Sequence, residues 1–171
     1  DMLSRKHEYV MTQQSSHLVT SPRTIGSHAN RDQIRRNTFF KARGDGSYVE
    51  LANFSGLAAT EWTWGVVFMD VDLDGWEDVL VTNGFPYNVD DQDTRDEIAA
   101  MGRLSLSESR KTIARYPPLN TPNVAMRNSG QGRFQDMGDS WGFNDTRVSN
   151  GMALADLDND GDQDVVVNAF N

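Results

Sequence analysis

A nine-residue pattern, D-x-D-x-D-G-x-x-D, occurs twice in this chain and constrains everything around it. The first copy supplies Asp70, Asp72, Asp74, Gly75, Trp76 and Asp78; the second supplies Asp156, Asp158, Asp160, Gly161, Asp162 and Asp164. Carboxylates at the first, third, fifth and ninth positions of a short loop, with a glycine at the sixth to permit a sharp turn, offer a hard cation several oxygens. The backbone carbonyl of the seventh residue, Trp76 or Asp162, can add another. Five acidic residues within each nine would repel one another in an empty loop, so the pattern implies a bound divalent cation at each of two sites. Calcium (Ca2+) fits best: it accepts flexible all-oxygen shells, whereas magnesium demands tighter geometry and keeps its waters.

The opening of each loop also fits an EF-hand, which needs a bidentate Glu at its twelfth position and a helix on either side. That position is Val81 in one copy and Val167 in the other. The flanks read as strands: residues 65–69 and 79–81 around the first loop, 151–155 and 165–167 around the second. Short apolar runs rich in β-branched residues, joined by a tight acidic turn, predict a buried β-hairpin.

The 171 residues suffice for one domain with a core. The net charge of −9 is concentrated: the two loops hold 10 of the 25 acidic residues, leaving 15 against 16 basic ones. Acidity confined to metal loops argues against a nucleic-acid partner and gives no reason to expect attraction to an anionic membrane. No apolar stretch approaches the length of a transmembrane helix. The absence of cysteine excludes disulfides, thiolate metal sites and Cys nucleophiles. The chain opens Asp1-Met2-Leu3 with no charged-then-apolar leader, so a mature or excised piece is expected.

The duplication extends beyond the loops. Residues 37–84 align with 123–170 at a constant offset of 86, without a gap. Asn37 falls on Asn123, Gly44 and Gly46 on Gly130 and Gly132, Gly56 on Gly142, Thr60 on Thr146 and Gly65 on Gly151. A repeat of this kind means a propeller, a solenoid or an array. Within a unit, 38–43 and 47–51 flank Gly44-Asp45-Gly46 as strand, turn and strand, and 124–128 with 133–137 repeat them. A unit therefore supplies an outer hairpin and, after a linker containing Gly56 or Gly142, an inner hairpin with the metal turn; two hairpins make a four-stranded propeller blade.

The resulting division is 4–36 as an insert of unassigned role, 37–52 as an outer hairpin and 53–84 as an inner one. A second insert covers 85–122, followed by an outer hairpin at 123–138 and an inner hairpin at 139–171. In the second insert, Thr94 with Glu97 and Ser105 with Glu108 are spaced as capping boxes, Gly102 suits a helix end and Pro117-Pro118 stops the second helix. Ile98 and Met101, then Leu106, Ile113 and Tyr116, would give each helix an apolar side, so a helical pair packed on the blade as a lid or neighbour contact is expected.

Together, N-x-x-F/M-x-x-x-G-x-G, a Trp-Gly or Asn-Gly before an apolar strand, and D-x-D-x-D-G-x-x-D-V-x-V resemble the FG-GAP or VCBS repeats of integrin-α-like β-propellers. Residues 150–168 and the long inserts are more similar to the cartilage acidic protein family, which includes large bacterial extracytoplasmic proteins with a UnbV-type domain, whose role is not carried over to these residues. The resemblance implies an all-β propeller fragment of about two blades with helical inserts. It makes residues 1–3 the end of a preceding blade's inner hairpin and places the outer half of one blade, one whole blade and the inner half of the next along the chain. It further implies a calcium-stabilised, secreted or periplasmic module for recognition, adhesion or scaffolding, whose partners are the remaining blades and a protein or glycan ligand.

Weaker signals have plainer readings. Arg43-Gly44-Asp45 spells an integrin-recognised tripeptide, but its counterpart is Ser129-Gly130-Gln131, so it reads as a hairpin turn needing glycine. Asn53-Phe54-Ser55 and Asn144-Asp145-Thr146 are glycosylation sequons that matter only in a eukaryotic secretory pathway. Catalysis has thin support: His7, His17 and His28 all lie in the first insert, and no nucleophile, base and orienting acid are seen to converge. Trp62, Trp64, Trp76 and Trp141 could line a carbohydrate-binding face or pack between blades. The expectation is a non-enzymatic calcium propeller. The alternative is part of a calcium-propeller polysaccharide lyase or hydrolase whose active residues lie in the inserts or outside the chain.

Overall fold

A computed structural model of the chain describes residues 2–12 and 35–170. His17, His28 and most of the first insert lie outside the described residues, while His7 opens an exposed helix, α1, at His7–Thr12. The remaining architecture is antiparallel β-structure repeated twice. Strands β1 (Phe40–Ala42) and β2 (Tyr48–Glu50) form the first outer hairpin, and β7 (Val124–Asn128) and β8 (Phe134–Asp136) form the second. The inner hairpins are β3 (Thr63–Met69) with β4 (Asp78–Asn83) and β9 (Val148–Ala155) with β10 (Asp164–Phe170).

The repeat in sequence is not the sheet in space. The four-stranded sheet has the order β3-β4-β7-β8, so the inner hairpin of the first repeat pairs with the outer hairpin of the second. The two hairpins of one repeat unit share no sheet. The chain therefore carries one complete four-stranded blade, with β1–β2 before it and β9–β10 after it.

Strand β4 is buried at all six positions, as expected of a strand paired on both edges and covered on both faces. On one face Val79 and Val81, with their cross-strand partners Met126 and Val124, form the core with Leu57. Phe39, from the preceding outer hairpin, packs against that core and meets Phe134 edge-on with ring centroids 5.8 Å apart. The other face of the blade receives β9, and the approach is close. A Cβ on Gly84 would come within 2.9 Å of Val148 Cα, and its φ of +123° is itself open only to glycine, so no other residue fits there.

The two repeats share details that the strand pattern alone does not dictate. In each inner hairpin the register slips by one residue at the same place, leaving Trp64 and Asn150 as bulge residues. Each linker contains a one-turn helix, α2 (Ala52–Ser55) or α5 (Gly138–Trp141), closed by a left-handed glycine, Gly56 or Gly142. The aligned asparagines also recur as ties. Asn37 Nδ2 donates to Leu57 O at 3.0 Å and to Thr60 Oγ1 at 2.6 Å. Asn123 Nδ2 donates to Ser149 Oγ at 3.1 Å, while its Oδ1 accepts the Asn83 amide at 2.9 Å.

The second insert leaves and re-enters the blade through a short pair, β5 (Phe85–Tyr87) with β6 (Pro118–Leu119). Phe85 stacks on Trp62 at 4.6 Å, and Asp90, nearly buried, faces Arg35 and Arg95 at 3.5 and 3.4 Å. Helix α3 (Gln92–Ala100) is capped by Asp91, whose side chain accepts the Thr94 amide, so the expected Thr94–Glu97 box is displaced by three residues. Thr94 instead occupies the third helical position and adds its own hydroxyl to Asp91. Helix α4 (Leu106–Lys111) does carry the Ser105–Glu108 capping box, and its 3-10 continuation, Thr112–Arg115, ends before Pro117. Much of the apolar side expected to pack on the blade is exposed, with Leu106 83% exposed and Met101 and Ile113 also exposed, while Ile98 and Tyr116 are half-buried. The insert is secured at its base, through β5–β6 and the buried Leu119, and on α3 by the buried Thr94.

Candidate metal centres

Each loop begins where an inner strand ends, so paired strands hold the first and last carboxylates a fixed distance apart. In the first loop Asp70 Oδ1 accepts the Asp74 amide at 2.9 Å and Oδ2 accepts the Gly75 amide at 2.8 Å. Asp78 closes the loop by accepting the Val71 amide at 3.0 Å, and its other oxygen accepts the Asn128 amide of β7 at 2.7 Å. In the second loop Gly161 N donates to Asp156 at 3.2 Å and Leu157 N to Asp164 at 2.9 Å. The fifth-position aspartates cap the seventh-position amides in both loops, Asp74 for Trp76 and Asp160 for Asp162. Gly75 and Gly161 have φ of +89° and +99°, and the fourth residues, Leu73 and Asn159, are also left-handed at +55° and +60°.

This wrapping brings three carboxylates together in each loop: Asp70, Asp72 and Asp78, then Asp156, Asp158 and Asp164, with one oxygen from each within 4.8 Å of the others. A calcium ion takes oxygens at 2.3–2.6 Å, so two ligands on opposite sides of it are about 4.6–5.2 Å apart, and the observed sets fit. Either cluster could hold a metal ion. Asp74 and Asp160 lie outside the three-oxygen sets and spend an oxygen on capping their loops. Trp76, expected to contribute its backbone carbonyl, lays its ring against Gly130, whose added Cβ would sit 2.8 Å from it.

The electrostatics of the two loops differ. Arg127, on β7, donates from Nε to Asp72 and from a terminal nitrogen to Asp74. The bond to Asp72 and the negative charges of Asp72, Asp74 and Asp78 hold the guanidinium above its ordinary pKa. In the second loop no basic side chain among the described residues forms an ion pair. There Asp162 is pushed up, first by a hydrogen bond shared with Asp160 and that neighbour's charge, then by burial and by Asp164 and Asp158. Carboxylates crowded in this way are what a divalent cation would neutralise.

Sequence reasoning did not single out Arg127 or Asn128, although the repeat offset gave a signal: Lys41 stands where Arg127 does in the first unit. Of the lesser motifs, Asp45 of the Arg-Gly-Asp turn is tied to the Ser47 hydroxyl and amide, which lower its pKa. Asn53 is exposed on α2, whereas Asn144 donates to Asp139 at 2.7 Å. Trp62 is stacked, and Trp64 donates to Gly84 O at 2.6 Å while its ring stays 47% exposed.

A four-stranded antiparallel blade flanked by half-blades, with acidic turns on its inner hairpins, defines a β-propeller fragment of about two blades with a helical insert. The family model of the FG-GAP-like repeat matches residues 25–81 and 91–167, and the chain belongs to that family. Among curated proteins none matches the chain. No helix among the described residues is long and apolar enough to cross a membrane.

Proposed function

We propose that this chain is a calcium-loaded, non-enzymatic part of a β-propeller that serves recognition, adhesion or scaffolding outside the cytoplasm, of the cartilage acidic protein type. The observation that carries the reading is that both loops, 86 residues apart, gather the same three carboxylates into a set of calcium size. Aspartates at equivalent positions with equivalent backbone bonds are the mark of a ligand shell repeated with the fold. Sites of this kind in extracellular modules hold calcium with Kd values of about 0.1–1 mM, which suits millimolar extracellular calcium. At that concentration each site would stabilise the folded state by roughly 0.4–1.4 kcal/mol. The metal supplies cross-linking charge; the protein's own residues supply the loop that receives it. Asp70 and Asp156 bind the turn amides, while Asp78 and Asp164 tie the loop's end to its start.

The partners in this reading are neighbouring blades and a protein or glycan bound on the loop faces. Calorimetry and metal analysis of the full-length protein test it. Asp72→Ala and Asp158→Ala should each remove one calcium from the stoichiometry. Full stoichiometry in both variants, or no bound calcium after dialysis against millimolar calcium, would overturn it.

A further inference from the structure

We infer that Arg127 is a tethered cation that competes with the divalent ion for the first loop, so that the two loops differ in calcium affinity and in their dependence on it. The inference rests on the calcium reading above but concerns a residue outside the D-x-D-x-D-G-x-x-D pattern. Three contacts reach from the second outer hairpin into the first loop. The Asn128 amide donates to Asp78, Asn128 Nδ2 donates to Glu77 O at 3.0 Å, and the Arg127 guanidinium spans Asp72 and Asp74. The first two fix the strand beside the loop, so the guanidinium is delivered to Asp72 by a rigid element and not by a wandering side chain. Asp72 belongs to the three-carboxylate set, and a divalent ion there must share it with Arg127 or displace Arg127.

Removing the guanidinium sacrifices little preorganisation. The loop keeps four bonds without it, two from backbone amides to Asp70 and two to Asp78. What it does remove is a like charge close to the incoming cation. The second loop, by contrast, forms no ion pair among the described residues. The first loop therefore stays folded when metal is scarce, and the second is the one that calcium must hold.

The test uses the full-length protein with terbium as a luminescent calcium substitute and with calcium itself. Trp76, the seventh residue of the first loop, is the sensitiser, and the emission lost in Asp72→Ala is the first-loop signal. In Arg127→Met the first-loop affinity for terbium and calcium should tighten by roughly two- to fivefold, the worth of an exposed ion pair. The melting temperature should fall more in chelator than in saturating calcium. Arg127→Lys, which keeps the charge without the two-pronged contact, should shift both readouts less and in the same direction; it also keeps the test open if Arg127→Met folds poorly. Unchanged or weaker first-loop affinity with two calciums still bound, or an equal loss of melting temperature in calcium and in chelator, would make Arg127 a structural tie and overturn the inference. No calcium or terbium bound by the wild type would overturn the calcium reading itself, and the inference with it.

Discussion

Asp72 and Asp78 are the same residue type six positions apart, yet their environments give them different work. Asp78 is fully buried, and each of its oxygens takes a backbone amide, at 3.0 and 2.7 Å. Asp72 is exposed and, among the described residues, is held by Arg127. Stranding a buried amide costs about 1–3 kcal/mol, so Asp78→Ala should destabilise the protein by roughly 2–4 kcal/mol in chelator, and by more in calcium, whose site it also removes. Asp72→Ala should lower the melting temperature chiefly in calcium; scans in calcium and in chelator separate the two. The fourth loop position offers a second check. Leu73 is left-handed at +55° and 73% exposed, where Asn159 holds the same conformation in the other loop. Asparagine tolerates that region and leucine does not, so Leu73→Asn should add about 0.5–1 kcal/mol by denaturant unfolding, and Asn159→Leu should remove a similar amount. The carboxylate spacing was legible in the residues themselves. The strain at Leu73 was not, because the turn's demand at the fourth position carries no fixed residue type.

Among the elements, hairpins were the most legible, since alternating apolar runs met at glycine turns and at acidic turns whose length leaves few alternatives. The insert was half legible. Ser105 and Glu108 identified one helix start correctly, but for the other Asp91 competed with Thr94 and won: three residues earlier, it reaches the Thr94 amide and hydroxyl together. Apolar spacing then suggested packed helices where Leu106 and Ile113 face outward, because periodicity reports a stripe and not what covers it. The β5–β6 pair was too short to announce itself, yet it closes the insert's base. Once that base is closed, the helices beyond it contribute nothing to either acidic cluster. Replacing residues 89–116 with a short Gly-Ser linker in the full-length protein should therefore leave calcium affinity within about twofold, measured by calorimetry. A large loss would show that the insert buttresses a loop.

At the scale of the whole molecule, the exposed apolar residues state what is needed around it. Val66 and Phe68 on β3 and Val166 and Phe170 on β10 are each about half exposed or more, far from the burial that such strands require. Propellers cover these faces by closing a ring of roughly 4–8 blades. The chain expressed alone should oligomerise or aggregate; a sharp monomeric peak with cooperative unfolding in light scattering and calorimetry would contradict this. The shared sheet of β3, β4, β7 and β8 has a consequence for descent. Because each blade is stitched from two successive repeats, a tandem copying of one repeat in the gene inserts an outer half and an inner half at once. Every old strand still finds a partner, and the ring grows by one blade without any intermediate having an orphaned edge. Such a copying would change blade number in a single genetic event, and the ungapped match of residues 37–84 with 123–170 is the kind of mark it would leave.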